Sequence, residues 1–168
     1  IGAQVERIGN QDEAAVRSIL QAAQAMFPYT VVDLPRHLSP LIGAAIEQCT
    51  RLVLVIQLTV PSVRNARRIV DALTAEGVQD KHIDLVVNRY RKNLGNCSLA
   101  TVEQQFGRQV LAAVPSDFKA VHTALDCGQP LLRRNPVRAA IRQIAAQLTG
   151  YEDRAKSRSW LPKLGLSS

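Results

Sequence analysis

The chain has 168 residues, of which 46% are hydrophobic, 21% charged and only 4% aromatic, as expected of one globular domain with an aliphatic core. No apolar run approaches the ~20 residues that cross a bilayer, no signal-peptide pattern is read, and the three cysteines and three histidines are scattered. A membrane span, a disulfide framework and a zinc site are therefore disfavoured, and free thiols in a reducing, cytoplasmic compartment are expected. The formal charge is +7, and residues 131–168 hold eight basic side chains against two acidic ones, which marks that end as an interacting one.

In chain order, Glu13–Met26 places Ala15, Val16, Ile19, Leu20 and Ala23 at helical spacing. Tyr29–Leu34 is a short β-rich run and reads as a first strand. Pro40–Cys49 reads as a short helix. Arg51–Leu58 is a second strand, and Pro61 opens a helix whose apolar face runs from Val63 to Leu73, stopped by Gly77. Asp84–Asn88 is a third strand. Ser98 caps a helix ending at Gly107. Gln109–Val114 is a fourth strand, and Asp117–Asp126 and Pro136–Leu148 are closing helices.

The strand runs do not alternate polar with apolar, so they suit a sheet buried on both faces. Strands alternating with helices predict a doubly wound, mostly parallel α/β sheet flanked by helices. An opening helix and only four strands suggest a sheet without its first part. The start at Ile1 rather than Met suggests a fragment, a processed product or a trimmed chain. Residues 1–150 read as the domain and residues 151–168 as a basic, flexible tail.

Ligands of such sheets bind beyond the carboxyl ends of the strands, which directs attention to three places. Asp33 closes an apolar run in Val31-Val32-Asp33-Leu34-Pro35. A carboxylate there resembles a Walker B motif, which holds Mg²⁺ beside nucleotide phosphates; the alternative is an Asp capping the next segment. Asn88 ends Val86-Val87-Asn88 and offers both a donor and an acceptor to an adenine edge, against a turn Asn satisfying local backbone. Pro115 and Asp117 make a rigid turn and a helix cap, which suffices to explain them. Arg36 and His37 follow the first run, with an anion contact in view for Arg36. Arg64, Arg67 and Arg68 follow the second, Arg67 and Arg68 reading as a solvated helix face. No G-x-x-x-x-G-K-[ST] loop occurs and no Lys precedes position 81, so the usual neutralising groups for β- and γ-phosphates are missing.

The blocks VVDLPRHLSP, LVLVIQLTVPSVRNARRIVDAL, LVVNRY and VPSDFKAVHTALDCGQPLL together resemble the C-terminal two-thirds of the ParA/MinD-type P-loop ATPase domain, a SIMIBI-class NTPase, over residues 12 to 150. DLPR, VPSVRNARR and VVNRY point to the CpaE/TadZ branch, which serves Flp (Tad) pilus assembly. The resemblance implies Asp33 as the Walker B residue that binds Mg²⁺ through water and positions the attacking water. It implies Asn88, with Arg89 beside it, at the adenine, and Pro115 and Asp117 in the loop against the base. It also implies ATP and Mg²⁺ in the full-length protein, a homodimer, pilus secretion components as partners and localisation at a pole or the inner membrane. Without its phosphate-binding loop, this chain is expected to bind ATP weakly and to be inactive alone. The alternatives are a ParA or MinD partitioning or division-site ATPase, and a non-enzymatic module. The latter would bind membrane or nucleic acid through the tail, where Trp160, Leu161, Leu164 and Leu166 interleave with Arg158 and Lys163.

Overall fold

The computed structural model describes residues 2–36, 39–79, 82–92 and 97–151, with side chains from residue 12 onward. His37 and all of the tail except Tyr151 lie outside the described residues. The elements are α1 (Gly2–Met26), α2 (Pro40–Glu47), β1 (Leu52–Ile56), α3 (Val60–Ala75), β2 (Ile83–Tyr90), α4 (Leu99–Phe106), β3 (Ala112–Pro115), α5 (Phe118–Asp126) and α6 (Pro136–Thr149).

Each helix from α2 onward starts on a residue whose side chain accepts a free backbone N–H. Ser39 takes the amide of Ile42, Thr59 that of Ser62, Ser98 that of Thr101, Asp117 that of Ala120, and Asn135 those of Val137 and Arg138. Such a cap contributes about 1 kcal/mol. Helices α4 and α6 stop at Gly107 and Gly150, with φ of 64° and 67°, a left-handed turn that glycine enters without Cβ strain.

The three strands form one parallel sheet in the order β1-β2-β3. Side-chain alternation divides their residues between two cores. Leu54, Ile56, Ile83, Leu85 and Val87 meet Ile42 and Ile46 of α2, Val63, Ala66, Val70 and Leu73 of α3, and Val102 and Phe106 of α4. Val53, Val86 and Val114 meet Val121 of α5 and Val137, Ala140 and Ile144 of α6. Helices therefore cover both faces, which is the doubly wound arrangement that the uninterrupted strand runs predict. Leu85, Val87 and Val102 are fully buried. At ~1.5–3 kcal/mol per buried aliphatic side chain, these residues dominate the stability of the described fold.

Two expectations are corrected. Tyr29–Leu34 is not a strand: it pairs with nothing in the sheet, and Val31 is 94% exposed. A strand is held by its neighbours' hydrogen bonds, and among the described residues this segment has no ladder partner. Only Leu34 packs against the first core. The first helix is also longer than its apolar pattern, which starts at Glu13 rather than Gly2. It is tied to α2 by Arg17, whose Nε donates to Glu47 at 3.0 Å, and by Gln24, whose Nε2 donates to the carbonyl of Gln48 at 2.8 Å.

The amino ends of β1 and β2 are fastened by a two-pronged pair. The Arg51 guanidinium donates to both carboxylate oxygens of Asp84, each at 2.7 Å. This charged link lies at the end of the sheet opposite the candidate site.

Candidate functional site at the carboxyl rim

The site is built where β2 and β3 end. Val87 lies opposite Ala113, but the next pair is Tyr90 with Pro115. Three steps on β2 match two on β3, so β2 carries one extra residue, a β-bulge at Asn88–Arg89. Arg89 has φ 54° and is the one non-glycine residue with positive φ among the described residues. A non-glycine residue there costs about 1–2 kcal/mol. The bend is held by two bonds: the Arg89 N–H donates to Asn88 Oδ1 at 2.8 Å, and the Ser116 N–H donates to the Tyr90 carbonyl at 2.9 Å. These fix the β2 and β3 ends side by side.

Asp117 completes the rim. Its Oδ1 accepts the Ala120 N–H at 3.1 Å, capping α5, and its Oδ2 accepts from Asn135 Nδ2 at 2.9 Å. Asn135 in turn caps α6 through its Oδ1. One Asp–Asn contact thus joins the starts of both helices on the second face. Arg138 Nη1 donates to the Leu131 carbonyl at 2.6 Å and the Asn135 N–H to the Leu132 carbonyl at 3.0 Å, so the turn before α6 is pinned to the same rim.

The structure therefore brings Asn88, Arg89, Pro115 and Asp117 together. It does not bring Asp33 with them onto a strand end. Asp33 is exposed, lies outside the sheet and has no hydrogen bond or ion pair among the described residues. Asn88 keeps Nδ2 as a donor without a partner, while its Oδ1 is engaged by Arg89. Both carboxylate oxygens of Asp117 are engaged, so its observed work is capping. Ser116 and Asn135 are the rim residues that sequence reasoning left without a role. The Asn-Pro pair before an apolar helical run was a readable cap signal for Asn135; nothing local showed that its amide would reach Asp117.

Arg67 is corrected in part. It is half exposed, yet it pairs with Asp71 at 3.0 Å, donates to the Gln105 carbonyl at 2.9 Å and lies 5.9 Å from the Phe106 ring centre. It lines an open depression of about 420 Å³ with Val70, Asp71 and Thr74. These residues lie on the later turns of α3, away from the strand ends that carry Asn88 and Pro115, and Arg67's contacts account for it structurally.

A nucleotide with Mg²⁺ would need a phosphate cradle and a metal-holding carboxylate. The sequence has no such Gly-rich, Lys-bearing loop. Among the described residues no group of three His, Cys, Asp or Glu side chains could hold a metal. The phosphate and metal half of such a site does not fit this chain's residues. The donor of Asn88 beside the rigid Pro115 turn fits the edge of a heterocycle.

No protein-family model matches the chain. The chain is 27% identical over 138 residues to a septum site-determining protein MinD of Tupiella akineta, covering 78% of this chain and 44% of that protein. A ParA family ATPase from Chlorobium tepidum superposes with a TM-score of 0.71 at 18% identity, over 81% of this chain and 57% of that one. The chain has a MinD/ParA-type P-loop ATPase fold. The septum site-determining protein MinD of Pyrococcus horikoshii, solved with Mg-ADP, shares the MinD/ParA-type fold at a TM-score of 0.66 and 15% identity, covering 79% of this chain and 55% of that one. This chain therefore spans less than half the length of the curated MinD relative it matches. No described helix is long and apolar enough to cross a membrane.

Proposed function

We propose that the chain is the base-binding part of a MinD/ParA-type nucleotide-binding domain, of the division-site or partitioning kind. The observation that carries this reading is the bulged end of β2, which sets Asn88 and Arg89 beside the Pro115–Asp117 turn on a sheet of that fold. Asn88 Nδ2 would donate to a ring nitrogen of the base, and Pro115 would pack on its face. Residues 1–150 form the domain portion and residues 151–168 a separate basic tail.

ATP, Mg²⁺ and a second copy belong to this proposal for the longer protein. Asp33 would hold Mg²⁺ through water once a phosphate-binding loop stands beside it. No hydrolytic step is assigned to this chain, because the groups that neutralise phosphate charge are missing from it. The CpaE/TadZ pilus role rests on the wording DLPR, VPSVRNARR and VVNRY alone; the MinD and ParA likenesses favour the division-site or partitioning reading. Neighbouring genes for a secretion ATPase and a prepilin would reverse that preference.

Saturation-transfer NMR with ATP and with GTP tests the base-binding claim on this chain. We expect weak binding, roughly millimolar, the range left to a site that holds a base without its phosphates. Signal should be stronger at the adenine protons than at guanine, and Asn88→Ala should abolish that preference. Submicromolar ATP affinity, or a preference unchanged by Asn88→Ala, contradicts the reading.

A further inference from the structure

The carboxyl rim carries more positive charge than a base-binding turn requires. Arg89, Arg91 and Lys92 are exposed where β2 ends, and Arg133 and Arg134 are exposed on the turn before α6. None of the five has an ion pair or hydrogen bond from its side chain among the described residues. The two groups share one rim through the bond of Ser116 to Tyr90 and the bond of Asn135 to Asp117. The Asp117 carboxylate beside them is fully engaged by Ala120 and Asn135. The Arg51–Asp84 pair sits at the other end of the sheet.

Two large apolar side chains stand among these cations. Phe118 is 67% exposed, its ring set edge-on to His122 with centroids 5.3 Å apart, and Leu132 is 82% exposed. Phe118 adjoins Asp117 and Leu132 adjoins Arg133, so both flank the Asp117–Asn135 link. The turn that bears Leu132, Arg133 and Arg134 is pinned by Arg138 and Asn135, which lowers the entropy cost of ordering it in a complex.

We infer that this rim is a docking surface for an acidic protein segment that carries apolar anchors. Arg forks match carboxylates in paired geometry, and arginine with exposed aromatic and aliphatic anchors is the composition of a protein interface core. A nucleic-acid backbone would use the cations and leave Phe118 and Leu132 in water. This inference stands apart from the base-binding reading, since it uses neither Asn88 nor Pro115.

Fluorescence anisotropy of the full chain tests it. The probe is a labelled glutamate-rich peptide carrying two leucines; the comparisons are its leucine-to-serine counterpart, a labelled single-stranded oligonucleotide, and vesicles of phosphatidylcholine and phosphatidylserine. We expect the leucine-bearing peptide to bind most tightly, and more weakly as salt rises. The double variant Arg133→Glu/Arg134→Glu should weaken it about tenfold or more, as reversal of two charges at a complementary interface does. Leu132→Ser, which leaves the charge untouched, should weaken it too. The variant Arg64→Glu/Arg68→Glu on α3 makes the same change in net charge elsewhere and should leave binding unchanged. Equal loss in the α3 variant, tighter binding of the oligonucleotide or the vesicles, or indifference to both the peptide leucines and Leu132→Ser would overturn the inference. Circular dichroism confirms that each variant is folded.

Discussion

At the scale of single residues, Arg89 concentrates the unusual backbone of this protein. A φ of 54° at a non-glycine residue persists only when its surroundings fix it, and here the Asn88 side chain and the Tyr90–Ser116 bond do so. Arg89→Gly should therefore raise stability by about 1 kcal/mol in urea unfolding, because glycine enters the left-handed region freely. A loss of similar size would show that the Arg89 side chain holds the bulge. Cys49 offers a second residue-scale test. Burial raises its thiol pKa, and its Sγ donates to the Ala45 carbonyl at 3.2 Å. The folded state keeps this proton more tightly than the unfolded chain, so the associated stability is whole below about pH 8.5 and is lost as pH rises through the folded value. Iodoacetamide should alkylate the exposed Cys127 before Cys49; the reverse order would contradict the burial.

The elements show what local sequence reveals and what it hides. Helix α3 was legible because Pro61, an apolar face at helical spacing and Gly77 all agree, and Val63, Ala66, Val70 and Leu73 are indeed its buried residues. The strands at Leu52–Ile56 and Ile83–Tyr90 were legible as unbroken aliphatic runs. Tyr29–Leu34 has the same composition and is no strand, because pairing depends on a neighbour that composition does not record. The bulge at Asn88–Arg89 was hidden for a related reason: it is defined against β3, and its positive φ falls on an arginine where glycine would have announced it. Asn88, Arg89, Pro115 and Asp117 could be placed at strand ends from sequence, but the Asn135 link that fixes their turn joins residues 18 apart. Stability should follow the same division. Leu85→Ala, at a fully buried position, should cost about 2–5 kcal/mol, whereas Val31→Ser should stay within about 0.5 kcal/mol. Guanidinium unfolding checks both; a large loss from Val31→Ser would mean that this segment is held in the sheet after all.

At the scale of the whole molecule, the sheet is closed on one side and open on the other. Helices α5 and α6 cover the second face over β2 and β3, while Val55 on β1 remains 58% exposed and β1 has no outer neighbour among the described residues. Parallel sheets are normally covered on both faces, and the chain spans only part of the proteins whose fold it shares. The half that is present ends in a rim shaped by a bulge, a proline turn and a pair of linked helix caps. The direct test is an amide chemical-shift map of the ¹⁵N-labelled chain on addition of adenosine. Shifts concentrated at Asn88, Arg89, Tyr90, Ser116 and Asp117 are predicted. Shifts confined to α1 and the 27–36 segment, with the rim silent at high adenosine, would contradict the assignment of the base to this rim.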